Sequence, residues 1–203
     1  MKVLNYGSLN VDYVYSVDHI IVGGETQHSS KLEVFSGGKG LNQSIALAKA
    51  GVPVYHAGIV GTDGDILLEA CKEAGVNTKY IRRLPVKGGH TMIQVDKNAQ
   101  NCIILYGGTN QMQTKEFVDE VLADFGEGDY LMLQNEINML DYIIDQAYEK
   151  KMKIVMNPSP FDDKLSTCDL SKVYLFLVNE IEGEQITGCK DKDQILDAMA
   201  AKF

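Results

Sequence analysis

Apolar positions along the chain recur with two different periods, and the order in which the periods alternate points to an architecture. Lys2 to Ser8 is a short apolar run closed by Gly-Ser, the pattern of a buried strand. Val11 to Val17 then alternates, with Val11, Tyr13, Tyr15 and Val17 on one side and Asp12, Val14 and Ser16 on the other, as a half-exposed strand does. Ile20 to Thr26 is a loop around Gly23-Gly24, and Ser29 to Phe35 alternates again. Leu41 to Ala50 has helical spacing. Val52 to Val60 reads as a strand, and Ile66, Leu67, Ala70, Cys71 and Ala74 mark one face of a helix that stops at Gly75. Tyr80 to Leu84 is a further short strand. Thr91 to Val95 and Cys102 to Tyr106 flank the polar turn 96–101 and predict a hairpin.

From Thr114, an N-cap, the alternation is regular. Phe117, Val118, Val121, Leu122 and Phe125 give a helix, Tyr130 to Leu133 a buried strand, and Leu140, Ile143, Ile144 and Ala147 the next helix. Lys153 to Met156 and Tyr174 to Val178 are strands. The last helix, Lys192 to Phe203, is amphipathic through Ile195, Leu196 and Met199. Strands alternating with helices predict an α/β fold with a mostly parallel sheet flanked by helices. The alternating strands within about 11–35 and 89–106 break this rhythm and predict a small second sheet inserted in one domain spanning 1–203. Met92, Met132, Met156 and Met199 are expected in the core. A crossover helix packs when another strand follows it. The helix at the chain's end therefore reads as half a βαβ unit, and the sequence is expected to be a truncated piece of a longer protein.

Charge narrows the partners. The 203 residues carry 28 acidic and 19 basic side chains, net −9, and no basic cluster exceeds a dipeptide such as Arg82-Arg83. A phosphate backbone needs a concentrated basic face, so nucleic acid is not expected as a partner. No apolar run approaches the ~20 residues of a membrane span, and Met1 to Tyr6 turns polar too soon for a signal peptide. Cys71, Cys102, Cys168 and Cys189 form no Cys-x-x-Cys pair and read as free thiols in a reducing cytoplasm.

Gly37 to Ser44 (Gly-Gly-Lys-Gly-Leu-Asn-Gln-Ser) joins a strand to a helix and concentrates the candidate chemistry. Its glycines permit close backbone approach. The helix start points free N–H groups at the loop. Lys39 adds a mobile cation and Asn42 lies one turn in. The stretch reads as a cradle for a polyol or an anion, or as a glycine-rich turn capping a helix. Lys39 is followed by Gly, so it is not a Walker A loop, and no Gly-x-Gly-x-x-Gly follows the first strand as a dinucleotide fold requires. Asn10, Glu136, Asn157 and Asn179 also fall after successive strands, where such sheets place ligands. Plain structural alternatives stand beside these readings: Asp12 as the outward residue of a strand, Glu136 as a first-turn acid of the next helix, Asn179 as an N-cap. His19, His28, His56 and His90 receive no role.

In order along the chain, Gly7-Ser8-Leu9-Asn10-Val11-Asp12, Gly24-Glu25-Thr26, Gly37 to Ser44, Val60-Gly61-x-Asp63, Gly107-Gly108-Thr109-Asn110, Asn157-Pro158-Ser159-Pro160 and Asn179-x-x-Glu182 with Ile186-Thr187-Gly188 resemble the motif series of the ribokinase-like (PfkB-type) carbohydrate kinases. The resemblance implies a Rossmann-like domain with a small β-sheet lid, transferring a phosphoryl group from ATP, with Mg²⁺, to the terminal primary hydroxyl of ribose or a related sugar. It assigns Asn10, Asp12, Gly38, Lys39, Asn42 and Glu136 to the sugar, and Asn179 and Glu182 to Mg²⁺ and the nucleotide phosphates. It further implies a homodimer through the lid sheet and, in a full-length protein, a monovalent cation. The family's Gly-Ala-Gly-Asp segment, which brings its catalytic base and anion hole, occurs nowhere in the 203 residues. No catalytic residue is therefore assigned, that segment is expected beyond Phe203, and this chain alone is expected to be inactive. Kinases for other sugars or nucleosides, and a non-catalytic sugar-binding or dimerising module, are the alternatives.

Overall fold

The computed structural model describes all 203 residues. In chain order the main elements are β1 (Val3–Tyr6), β2 (Asn10–Ser16), β3 (Lys31–Gly37), α1 (Lys39–Lys49), β4 (Val54–Val60), α2 (Asp65–Ala74), β5 (Asn77–Arg83), β6 (Gly89–Val95), β7 (Asn101–Tyr106), α3 (Lys115–Leu122), β8 (Tyr130–Gln134), α4 (Leu140–Glu149), β9 (Lys153–Asn157), β10 (Leu175–Phe176), α5 (Glu180–Thr187) and α6 (Lys192–Lys202). Six strands form a parallel sheet in the order β10-β9-β8-β1-β4-β5. Four form a second, mixed sheet in the order β3-β2-β6-β7. The fold class read from the sequence is the one observed, including the pairing of the 89–106 hairpin with the early alternating strands. No helix is long and apolar enough to cross a membrane.

The chain leaves β1 toward β4 on one side and later returns to β8 on the other. The carboxyl ends of β1 and β8 therefore flank a topological switch point, the place where an open α/β sheet offers a crevice. Alternation decides what lies on each face. Leu4 and Tyr6 of β1, Ala57 and Ile59 of β4, and Leu131 and Leu133 of β8 share one core with α3 and α4. The opposite face, under α1, carries Asn5, His56 and Gln134, each at most 1% exposed.

Buried polar groups need partners, and these form a chain with one direction. The Gly7 carbonyl can only accept, so His56 Nε2–H donates to it across 3.3 Å. His56 Nδ1 must then accept, and it does so from the Ser44 hydroxyl at 2.7 Å. Ser44 Oγ in turn accepts from Asn5 Nδ2 at 2.9 Å, and Asn5 Oδ1 accepts from Gln134 Nε2 at 2.9 Å. The path joins β8, β1, α1, β4 and the exit of β1, and it gives His56 a place that the sequence reading did not.

Three local expectations differ from the structure. The strand expected over Tyr174 to Val178 is reduced to Leu175–Phe176, an edge strand paired only with β9. The last helix packs on α5 rather than on the sheet, so Ile195 is buried against Gly183 while Leu196 is 66% exposed. Met92 is 47% exposed, on the face of the small sheet that it shares with Tyr13 and Ile104.

Burial drives the His56 pKa down to about 4 from an ordinary 6.5. The unfolded chain thus takes up a proton that the folded one refuses between these values, and stability is lost as pH falls through that window. At pH 4.5 the loss from this residue should be roughly 2 to 3 kcal/mol relative to pH 7. Urea unfolding at the two pH values should show that loss in the wild type, and a smaller one by that amount in His56→Gln. An equal loss in both would refute the assignment.

Candidate functional site

The first turn of α1 is shaped by two glycines. Gly38, at the N-cap, has φ +95°, which L side chains rarely adopt. A Cβ on Gly40 would lie 2.5 Å from Ser8 N and 2.7 Å from Gly7 C, so only glycine lets α1 press against the end of β1. The helix-start amides then find protein acceptors. Lys39 N donates to Glu136 Oε2 at 3.0 Å, Gly40 N to Ser8 Oγ at 3.2 Å, and Leu41 N to the Ser8 carbonyl at 3.0 Å. The Ser8 hydroxyl donates to the same Glu136 oxygen. These amides are therefore not free for a ligand, as the sequence reading had them: Glu136 already sits at the positive end of the helix. Nor is Glu136 a first-turn acid of the following helix, because α4 starts at Leu140 and Asp141 fills that role.

Lys39 Nζ closes the arrangement with an ion pair to Glu136 Oε1 at 2.9 Å, the Glu136 side chain being only 5% exposed. Across the crevice Asn110 accepts from Leu9 N at 3.0 Å and donates from Nδ2 to Asn10 Oδ1 at 2.7 Å, which fixes the Asn10 amide. Asp12 lies opposite Thr91 in the paired strands β2 and β6 and accepts from its hydroxyl at 2.6 Å. Burial pushes the Asp12 carboxyl above its ordinary range; the Thr91 bond opposes this, the Glu136 charge adds to it and Lys39 opposes it.

Asn10, Asp12, Gly38, Lys39, Asn42 and Glu136 line one cavity of about 210 Å³, with Thr91, Ile93, Ile103 and Leu105 completing the wall. The structure thus brings together all six residues the sequence assigned to a sugar. Their unused valences are mixed. Glu136 has four acceptor sites, of which Ser8, Lys39 N and Lys39 Nζ fill three. Lys39 Nζ retains two donors, while Asp12 Oδ2, Asn10 Nδ2 and the Asn42 amide bond no protein group. Adjacent donors and acceptors suit hydroxyls, which do both.

Asn179 and Glu182 do not join this cavity. They cap α5 reciprocally, Asn179 Oδ1 accepting from Glu182 N at 2.9 Å and Glu182 Oε2 from Asn179 N at 3.0 Å. Glu182 Oε1 accepts no protein hydrogen bond, which leaves one oxygen of a nearly buried carboxylate without a partner. Sequence reasoning gave no role to Ser8, Thr91 or Asn110. Ser8 and Asn110 lay inside motifs already noted, and the strand register through Asp12 would have reached Thr91.

The model of the pfkB family of carbohydrate kinases matches residues 1–203. A ribokinase of Haemophilus influenzae is 31% identical over 196 residues, covering 93% of this chain and 63% of that protein. A ribokinase of Staphylococcus aureus is 34% identical over 195 residues, covering 93% and 64%. Among solved structures, Arabidopsis thaliana ribokinase complexed with ribose and ATP is similar with a TM-score of 0.82 at 25% identity, over 98% of this chain and 67% of that one. The chain therefore spans just under two thirds of the length of these two bacterial relatives.

Because backbone lies on the far side of Gly40, Gly40→Ala should destabilise the protein by roughly 3 kcal/mol. Gly126→Ala, where an added methyl meets nothing, should change stability by less than about 1 kcal/mol. Thermal unfolding of the two variants side by side checks this, and equal shifts would contradict the packing described.

Proposed function

The chain belongs to the pfkB family of carbohydrate kinases, and on that premise we propose that the cavity beside α1 is the sugar site of a kinase. The kinase phosphorylates ribose or a close relative at its terminal primary hydroxyl. The observation that carries this reading is the mixed set of unused donors and acceptors on Asn10, Asp12, Lys39, Asn42 and Glu136. Asp12 and Glu136 would accept from sugar hydroxyls, Lys39, Asn10 and Asn42 would donate to them, and Gly38 would let backbone approach the ring. Thr91 and Asn110 hold Asp12 and Asn10 in place, so ligand contacts would be pre-oriented. Mg²⁺ and ATP, when bound, supply the phosphoryl group and neutralise its charge. Glu182 with Asn179 would face that pair, the free Glu182 oxygen holding the hydrated cation. The carboxylates and Lys39 position the acceptor; no side chain of the cavity is assigned as the base.

Calorimetry should show ribose binding to this chain. Asp12→Ala and Lys39→Ala should each weaken it by at least about tenfold, the scale of one or two lost hydrogen bonds to charged groups. Wild-type affinity in both variants would defeat the sugar assignment. A coupled ADP-release assay on the same 203-residue chain should give no turnover, and normal turnover would refute the expectation that the base and anion hole are supplied by other residues.

The small sheet carries a second reading, a homodimer contact. Its face away from the site exposes Leu32, Val34, Met92 and Ile104, and every residue of β7 is exposed. Contiguous apolar surface of this kind marks interaction sites. Light scattering should report twice the chain mass at micromolar concentration and the single mass for Ile104→Lys; a wild-type monomer would dismiss the dimer.

A further inference from the structure

The turn Gly61-Thr62-Asp63-Gly64 after β4 carries an acid that the cavity beside α1 does not use. Asp63 Oδ1 accepts from Gly88 N at 2.9 Å, and Oδ2 pairs with Lys87 Nζ at 2.7 Å. Both oxygens are engaged and the side chain is only 19% exposed, so the carboxylate is not offered to a ligand. What it holds is the crossing from the main sheet to the small one. The β4–β5 pairing runs on past Arg83, with Leu84 N donating to the Val60 carbonyl at 3.0 Å and Thr62 N to the Val86 carbonyl at 2.9 Å. A Cβ on Gly61 would lie 2.2 Å from Gly88 N, so glycine there lets the turn and the crossing touch. Lys87 extends the contact to the small sheet, its Nζ donating to the Tyr13 hydroxyl of β2 at 2.9 Å.

The crossing ends where that cavity begins. Gly89, the next residue, opens β6 opposite Asn10. A Cβ on Gly89 would lie 2.1 Å from Asn110 Nδ2 and 2.5 Å from Asn10 Oδ1, and one on Gly108 would lie 2.5 Å from Gly88 C. The backbone of 88–89 therefore bears directly on the amide pair that fixes Asn10, with no slack to absorb a displacement. Of the two Asp63 contacts, the amide bond is the one able to transmit position. Lys87 is half exposed, and exposed ion pairs contribute little, whereas a backbone N–H on an ionised carboxylate is a strong, directional bond. We propose that Asp63 is a positioning residue of the sugar site: by accepting from Gly88 N it holds Gly89 against Asn10 and Asn110, and so sets the Asn10 donor that faces the cavity. Its effect on binding rests on the cavity being a sugar site, whereas its effect on the two amides does not.

Asp63→Ala should shift the side-chain amide signals of both Asn10 and Asn110 in heteronuclear NMR of the ligand-free chain. In calorimetry it should weaken ribose binding by about tenfold, the scale of one hydrogen bond lost to a misplaced donor. Asp63→Asn combined with Lys87→Met keeps an acceptor for Gly88 N without the ion pair. It should restore both signals and bring ribose affinity within about threefold of the wild type. A purely structural Asp63 would lower the unfolding temperature of Asp63→Ala while leaving the amide signals and the affinity of the folded chain at wild-type values. That result would overturn the proposal, as would a double variant that behaves no better than Asp63→Ala. Should Asp63→Ala not fold, Gly89→Ala takes its place, since it leaves Asp63 intact and presses on the same amide pair; wild-type amide signals there would overturn the proposal equally. Displaced amides in a chain whose wild type binds no ribose would leave the positioning role standing and defeat the sugar reading instead.

Discussion

A carboxylate with three protein donors, Glu136, fixes where α1 begins. It gathers the Ser8 hydroxyl at the exit of β1 and both the amide and the ammonium of Lys39, so three segments distant in sequence meet at two oxygens. The same turn is held from below, where Asn5 Nδ2 donates to the Gly40 carbonyl at 2.7 Å. Removing the carboxylate would leave buried donors unpaired both at Ser8, after β1, and at the start of α1, a cost of the order of 1 to 3 kcal/mol for each group. The crevice at the switch point has its shape because this contact is made.

The contact also sets the charge of the crevice. A helix start, a lysine and a glycine loop together suggest a receptor for anions. With Glu136 placed among them, the positive groups are balanced, and what faces the cavity is a pattern of separate donors and acceptors. What the crevice offers a ligand is therefore hydrogen-bond direction rather than field strength.

Much of this was legible before any coordinates. Period-two and period-3.6 patterns located both sheets, Gly75 and Thr114 marked helix ends correctly, and the six residues assigned to a sugar do line one cavity. Asn179-x-x-Glu182 was legible in two ways, as a ligand pair and as a capping signature, and its hydrogen bonds are those of the cap. The buried chain through Asn5, Ser44, His56 and Gln134 was not legible. Each member sits in an unremarkable local pattern, and only the parallel register of β8, β1 and β4 beneath α1 makes them neighbours. Ser8 was hidden for a similar reason, since its partners lie 32 and 128 residues away. Edge strands and terminal helices were the least predictable, because a neighbour on one side only lets Leu175–Phe176 shrink and leaves Leu196 in solvent.

The path of the chain between the two sheets has a consequence for how the protein can be cut or recombined. The small sheet takes β2 and β3 from residues 10–37 and β6 and β7 from 89–106, so the chain crosses between the sheets four times. A protease that severs any one crossing leaves three covalent links and the full hydrogen-bonded sheet, and a single nick releases no fragment. Nor can the sheet be transplanted as one contiguous cassette, since α1, β4, α2 and β5 lie between its halves. Its two hairpins can diverge only while keeping the β2–β6 seam, and that seam is where Asp12 meets Thr91.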